Sequence, residues 1–289
     1  MSASNGAERE GQEIDTSVPH VARVYDFLLG GKANFKVDRQ AAERAYAAWP
    51  GGLEGVRGGA RAHRAVLGRV VRYLARDAGI RQFLDIGTRV PKQDNVHEVA
   101  QRVAVDCRVV YVDRDPIVLA HAHALLRGTS EGATRYIYGE LREPEAILQL
   151  AEETLDFTQP AAVLLFGIVH FLNDDDNPAG IVRRLVSTLA PDSYVAITHL
   201  ARDVAGEALQ ETFNRLNAEM AESVVLRTRD EVSALFGDLE SVDPGVVQLP
   251  RWRPALDTPA PGPLPMWCGV ARKTEGPQSS TGVNPGRAG

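Results

Sequence analysis

Residues 82–116, QFLDIGTRVPKQDNVHEVAQRVAVDCRVVYVDRDP, constrain the fold more than any other part of the chain. An apolar run of Phe83, Leu84 and Ile86 stops at Gly87, and a second run, Val109, Val110, Tyr111 and Val112, stops at Asp113. Strand, glycine turn, helix, strand and terminal acid in that order make half of a parallel sheet, and open parallel sheets bind ligands beyond the carboxyl ends of their strands. Glycine at the first stop lets backbone come close to a ligand, and a carboxylate at the second can accept both hydroxyls of a ribose. The expected ligand is an adenosine-containing cofactor. The same turn carries Arg89 and Lys92, long cations where such turns keep small residues, which makes them candidates for contact with a substrate or an anion.

The rest of the chain extends this unit. Val66, Leu67, Val70, Val71 and Leu74 fall at helical spacing and predict a helix over 60–78 that feeds the first strand. Asn95 reads as the N-cap of the next helix, and Asp115 with Pro116 as the start of another reaching Leu126. Further strands are expected at 136–138, ended by Gly139 and Glu140, at 161–168 with His170 just beyond, and at 194–198 ended by His199. Asn177 and Pro178 open a helix with an inward stripe from Ile181 to Leu189, and helices at 204–220 and 228–235 follow. The last strand-like segments, 242–249 and 266–272, have no helix between them and should pair antiparallel. Together these predict a doubly wound, mostly parallel, seven-stranded Rossmann-like α/β sheet.

Composition narrows the function. With 44% hydrophobic residues in 289, the chain can bury one large core, so a single domain is expected. A net charge of −6 argues against a nucleic acid partner, which calls for a basic face. Cys107 and Cys268 have no disulfide or zinc spacing. No apolar run reaches the roughly 18 residues of a membrane span and no leader is visible, so no membrane partner and a cytoplasmic location are expected. Segments 1–16 and 274–289 are polar or rich in Gly, Pro and Ser, and are expected to be disordered tails.

The segment 19–39, PHVARVYDFLLGGKANFKVDR, together with FLDIGT, NVHEVAQ, VVYVDRDPIVLAHAHALL and HFLNDDDNPAGIV, resembles a family of bacterial S-adenosylmethionine-dependent methyltransferases common in antibiotic-producing lineages. The resemblance runs over 19–273 and implies that S-adenosylmethionine is the cofactor. It implies that Asp85 and Gly87 lie beside its methionine part, that Asp113 binds the ribose, and that Glu140 sits near the adenine. It also implies that Tyr25, Gly31 and Lys32 belong to a helical lid, residues 17–58, folded over a core of residues 59–273. The chain departs from the family pattern at Arg89 and Lys92, where GTGLPT is usual, at Ala33 and Glu140, where aspartates are usual, and at His63, where asparagine is common.

Two histidines are candidate catalytic bases. His170 and His199 end neighbouring strands, and an imidazole titrates near working pH, so either could take a proton from an acceptor as the methyl transfers. His121 and His123 lie two apart on a helix and point to different sides, and Asp174, Asp175 and Asp176 stand where capping acids belong, so no metal is expected. The function expected is methyl transfer to a small-molecule acceptor, a secondary metabolite such as an antibiotic precursor, by in-line displacement. The alternatives are an enzyme of this fold repurposed for cyclisation or rearrangement, with weakened cofactor binding and Arg89 and Lys92 holding an anion, and a non-catalytic partner subunit. A homodimer is compatible with the sequence.

Overall fold

Five buried residues in succession make β1 (Gln82–Ile86), as expected for a central strand covered on both faces. The computed structural model describes residues 15–47, 49, 51–89, 94–115, 118, 128–204, 206–219, 223–254 and 264–275. Around β1 stand β2 (Arg108–Asp113), β3 (Ala133–Tyr138), β4 (Ala162–Phe166), β5 (Tyr194–Leu200) and three strands near the C-terminus, β6 (Glu240–Ser241), β7 (Val247–Gln248) and β8 (Met266–Arg272). The order is β3-β2-β1-β4-β5-β8-β6, with β7 also on β8. β1 to β5 are parallel and β8 runs antiparallel to β5, β6 and β7.

The single strand expected at 242–249 is two short ones. Val242 still donates to Val270 O, but Pro244 has no N–H to give and Gly245, at φ +78°, turns the chain before β7 resumes the pairing. Among the described residues the sheet therefore has eight strands in seven positions.

Helices α1 (Val21–Leu28), α2 (Lys36–Ala45) and α3 (Gly52–Arg76) precede β1, and α4 (Val96–Val103) joins β1 to β2. After β3 come α5 (Pro144–Ala151), α6 (Pro178–Ser187), α7 (Gly206–Glu219) and α8 (Arg229–Ala234). The predicted caps form: Asn95 and Glu98 make a capping box on α4, and Asn177 accepts from Gly180 N–H with Pro178 in the first turn of α6. α3 starts well before residue 60 despite five glycines between 51 and 59, because Val56 and Ala60 are buried against neighbouring helices. The boundary expected between 58 and 59 thus falls inside one helix. The helix expected after Asp115, the two tails apart from their innermost residues, and Lys92 lie outside the described residues.

Two apolar layers cover the sheet. Leu84, Ile86, Val163 and Leu165 face α5 and α6, while Phe83, Leu164 and Phe166 face α3 and α4. A third cluster joins α1, α2, α7 and the start of α3. Among the described residues, no helix is long and apolar enough to cross a membrane.

Candidate active site

Gly87 ends β1 at φ +80°, and its N–H donates to Val112 O, fixing the turn against the end of β2. A Cβ there would lie 2.9 Å from the Ile168 side chain, so the position needs glycine both for its backbone and for its space. Arg89, two residues on, also has a left-handed backbone, φ +65°, which costs a residue with a Cβ about 1–2 kcal/mol. Asp113 holds this turn in place. Its Oδ2 accepts from Arg89 N–H at 2.8 Å and its Oδ1 from Asp115 N–H at 2.9 Å. Burial pushes the Asp113 pKa up, and the two N–H donors oppose that rise.

Asp113 lines a cavity of about 50 Å³ with Gly87, Gly139, Glu140 and His20. Glu140 is not a free acceptor: Arg114 donates to its Oε2 at 2.9 Å and Arg142 to its Oε1 at 3.2 Å. His20, just before α1, lies 2.9 Å from Asp115 and so ties the N-terminal segment to the rim of this cavity.

On the other side of the turn, a space of about 20 Å³ is bounded by Asp85, Thr88, His63 and Tyr25. Asp85 is buried at the end of β1, and desolvation raises its pKa to about 7 in spite of Arg64 and Arg89 nearby. Tyr25 Oη lies 3.1 Å from His63 Nδ1, and His63 Nε2 lies 2.8 Å from Thr198 Oγ1. Burial, then Arg89 and Arg64, hold His63 neutral.

A third space, of about 130 Å³, lies among α1, α3, α7 and the ends of β4 and β5. Its walls are apolar, from Val24, Leu28, Trp49, Phe213 and Leu216, and its polar members include His63, His170 and Arg89. Arg89 lines all three cavities. Its guanidinium donates to Gly167 O at 2.6 Å and lies 4.1 Å above the centre of the Tyr25 ring.

The two candidate bases part company. His170, in a 3-10 turn after β4, is 5% exposed, lines the apolar cavity, and its Nδ1 has no hydrogen-bond partner among the described residues. Burial, followed by His199 and Arg89, lowers its pKa well below the usual value, so its ring is neutral at pH 7. His199 is fully buried with both ring nitrogens committed. Nδ1 lies 2.8 Å from Leu200 O, which can only accept, so Nδ1 carries the proton and Nε2 accepts from Arg227 at 3.0 Å. Burial lowers its pKa to about 4. His199 therefore has no lone pair left for a substrate, contrary to the sequence expectation, because Arg227 occupies it.

Gly31 and Lys32 line none of these cavities. Gly31 N–H donates to Asp26 O and Gly31 O accepts from Asn34, so the pair builds the turn that leaves α1, with Lys32 exposed. Asp174, Asp175 and Asp176 form a 3-10 turn capped by Asn173; Asp174 pairs with Arg227 and Asp176 with Arg142. The sequence reading gave no site role to His63, noted there only as a departure from the family pattern, and did not single out Arg227. His63 interrupts the apolar stripe Ala60, Val66, Leu67, which was a readable signal, whereas Arg227 is buried from a loop with no periodicity to mark it.

Over residues 7–274 the chain matches the family described as S-adenosyl methyltransferase. It is similar in structure to a DUF574 family protein from Streptomyces avermitilis, with TM-score 0.85 and 40% identity over 90% of this chain and 100% of that one. It is also similar to a provisionally named methyltransferase from Thermobifida fusca, with TM-score 0.82 and 41% identity over 90% of this chain and 97% of that one. No curated protein matches the chain in sequence.

Proposed function

The chain belongs to the S-adenosyl methyltransferase family, and from that premise we propose that it methylates a small-molecule acceptor held in the apolar cavity beneath α1 and α7. It is an S-adenosylmethionine-dependent methyltransferase. The residues present fit the adenosine part of that cofactor. Asp113 keeps acceptor capacity beyond its two N–H bonds, since a carboxylate can accept about four, and it faces the 50 Å³ cavity. Asp85, which can ionise near neutral pH, could supply the counter-charge that the methionine ammonium needs. Between these two positions the Arg89 side chain crosses the junction, so occupation of both requires its guanidinium to leave Gly167 O.

When bound, the cofactor supplies an electrophilic methyl on a sulfonium. The chain's part is alignment: rigid strand ends hold one reactant, the apolar walls hold the other and exclude water, and most of the acceleration comes from that positioning. α1, α2 and the turn between them act as the lid, tied by His20 to Asp115. His170 is the base for an acceptor that must lose a proton, and it works as a neutral imidazole in a dry site.

The observation that carries this reading is the His170 Nδ1, without a partner among the described residues, in the turn that follows β4, the strand beside β1, where His170 lines the apolar cavity. Calorimetric titration with S-adenosylhomocysteine tests it, with micromolar binding expected at one site per chain. No heat and no thermal shift at millimolar ligand would instead favour a cyclising or rearranging enzyme on this fold, with Arg89 filling the junction.

A further inference from the structure

We propose, on the methyl-transfer reading, that the acceptor is a compact hydrophobic acid whose anionic oxygens pair with the Arg89 guanidinium in the apolar cavity. Arg89 is a half-buried cation that feels the Asp85 carboxyl across the smallest cavity but makes no direct ion pair among the described residues. Its guanidinium meets a carbonyl, Gly167 O, and the face of Tyr25, and among the described residues no carboxylate lies within ion-pair distance of it. Asp113 takes only its backbone N–H. A guanidinium has five donors in a planar fork, so several stay available for a carboxylate or phenolate oxygen. A charge partly withdrawn from water gains by pairing, which makes an anion a ligand that this wall can take.

The other polar groups of the cavity do not compete for that role. His63 and His170 are held neutral by burial, so neither can serve as an anion's counter-charge at neutral pH. The backbone supplies a second observation. Arg89 adopts the left-handed conformation that glycine takes without strain, and strain of this kind collects where a side chain has a task. Held in that conformation by Asp113, the side chain reaches the cavity from the turn after β1.

The size and shape of the cavity define the rest of the ligand. At about 130 Å³ it approaches the cavities of about 150 Å³ that enclose a benzene molecule. Tyr46, Trp49 and Phe213 pack edge to face in its wall, at 5.9 and 6.4 Å between ring centres, which offers edges and faces to one more ring. A single-ring or short branched acid fits this space. A cationic cofactor bound beside this turn would add a second positive charge, which an acidic acceptor would offset.

The cofactor's own carboxylate has the same chemistry as the proposed acceptor, and the test separates the two. The protein saturated with S-adenosylhomocysteine is titrated calorimetrically with benzoate and with benzamide, which have one shape and different charge. The native protein should bind the acid about tenfold more tightly, the scale of a charge-assisted hydrogen bond. Arg89→Gln should reduce that ratio to within about twofold while S-adenosylhomocysteine affinity holds or rises, and Arg89→Lys should keep part of the preference. Equal binding of acid and amide by the native protein, binding of neither at millimolar concentration, or a preference that survives Arg89→Gln would each overturn the proposal. A loss of S-adenosylhomocysteine affinity in Arg89→Gln with the acid preference intact would assign the arginine to the cofactor and overturn it as well. If the native protein binds no S-adenosylhomocysteine, the methyl-transfer reading fails, and the ratio measured without it still decides whether Arg89 holds acids.

Discussion

The two sides of the groove along the strand ends treat buried polar groups in opposite ways. On the β2 and β3 side every named carboxylate is engaged: Asp113 by two backbone N–H groups, Asp115 by His20, and Glu140 by two arginines. On the β4 and β5 side the walls are apolar, the His170 Nδ1 has no partner among the described residues, and Arg89 reaches across with no direct ion pair among them. A satisfied network is rigid and recognises one constant ligand, whereas unmet groups in an apolar wall await a ligand that supplies their partners. The first side suits a cofactor and the second an acceptor.

The sharpest way to break this comparison is to unmake the rigid side. Asp113→Ala removes the acceptor of two backbone N–H groups, each costing about 1–3 kcal/mol when buried and unpaired, and also the anchor proposed for the ribose. Chemical denaturation should show a loss of about 2–4 kcal/mol, and calorimetry a fall of about 100-fold or more in S-adenosylhomocysteine affinity. Retained affinity in a folded Asp113→Ala protein would remove the distinction between the two sides.

The next test acts on the open side alone. His170→Gln should lower turnover by about 100-fold, the scale of a lost general base, with S-adenosylhomocysteine affinity unchanged. Because burial keeps His170 neutral, the native rate should show no step where an ordinary histidine titrates. His199→Asn should matter much less to turnover, since both ring nitrogens of His199 are spent on Leu200 O and Arg227. An equal loss from both substitutions would show that the two histidines act as one unit.

The same contrast explains what the sequence made legible. Gly87 and Asp113 stand at abrupt ends of apolar runs, and the Asn95 and Glu98 box is a local pattern, so the rigid side can be read from neighbours along the chain. The open side is assembled from α1, α3, α7 and two strand ends far apart in sequence. The commitment of His199 depends on Arg227, 28 residues away, and nothing local foretells it. The arginine at position 89 was visible as an oddity in the turn, but its reach to Gly167, 78 residues on, belongs to the fold. Where the sequence reading failed locally, at the early start of α3 and the break at Pro244, packing overrode glycine's poor helix propensity in the first case, and a missing N–H donor ended the strand in the second.

The smallest effect sharpens the comparison at the point where the sides meet. Burial raises the Asp85 pKa from 3.8 to about 7, so the folded protein holds there a proton that the unfolded chain releases above about pH 4. The sign follows from proton counts. Between about pH 4 and 7 the native state binds more protons, so the contribution of Asp85 to stability is lost as pH rises toward 7 and stays lost above it. Asp85→Asn should accordingly stabilise the protein at pH 8 and leave it unchanged below pH 4, as read from denaturation midpoints. Cofactor binding should run the other way, because the sulfonium and ammonium favour the ionised carboxylate. S-adenosylmethionine affinity should rise a few-fold from pH 6 to pH 8 in the native protein and stay flat in Asp85→Asn, a difference that calorimetry at the two pH values resolves. A flat profile in both would place Asp85 with the satisfied carboxylates of the rigid side and move the boundary between the two sides to Arg89 alone.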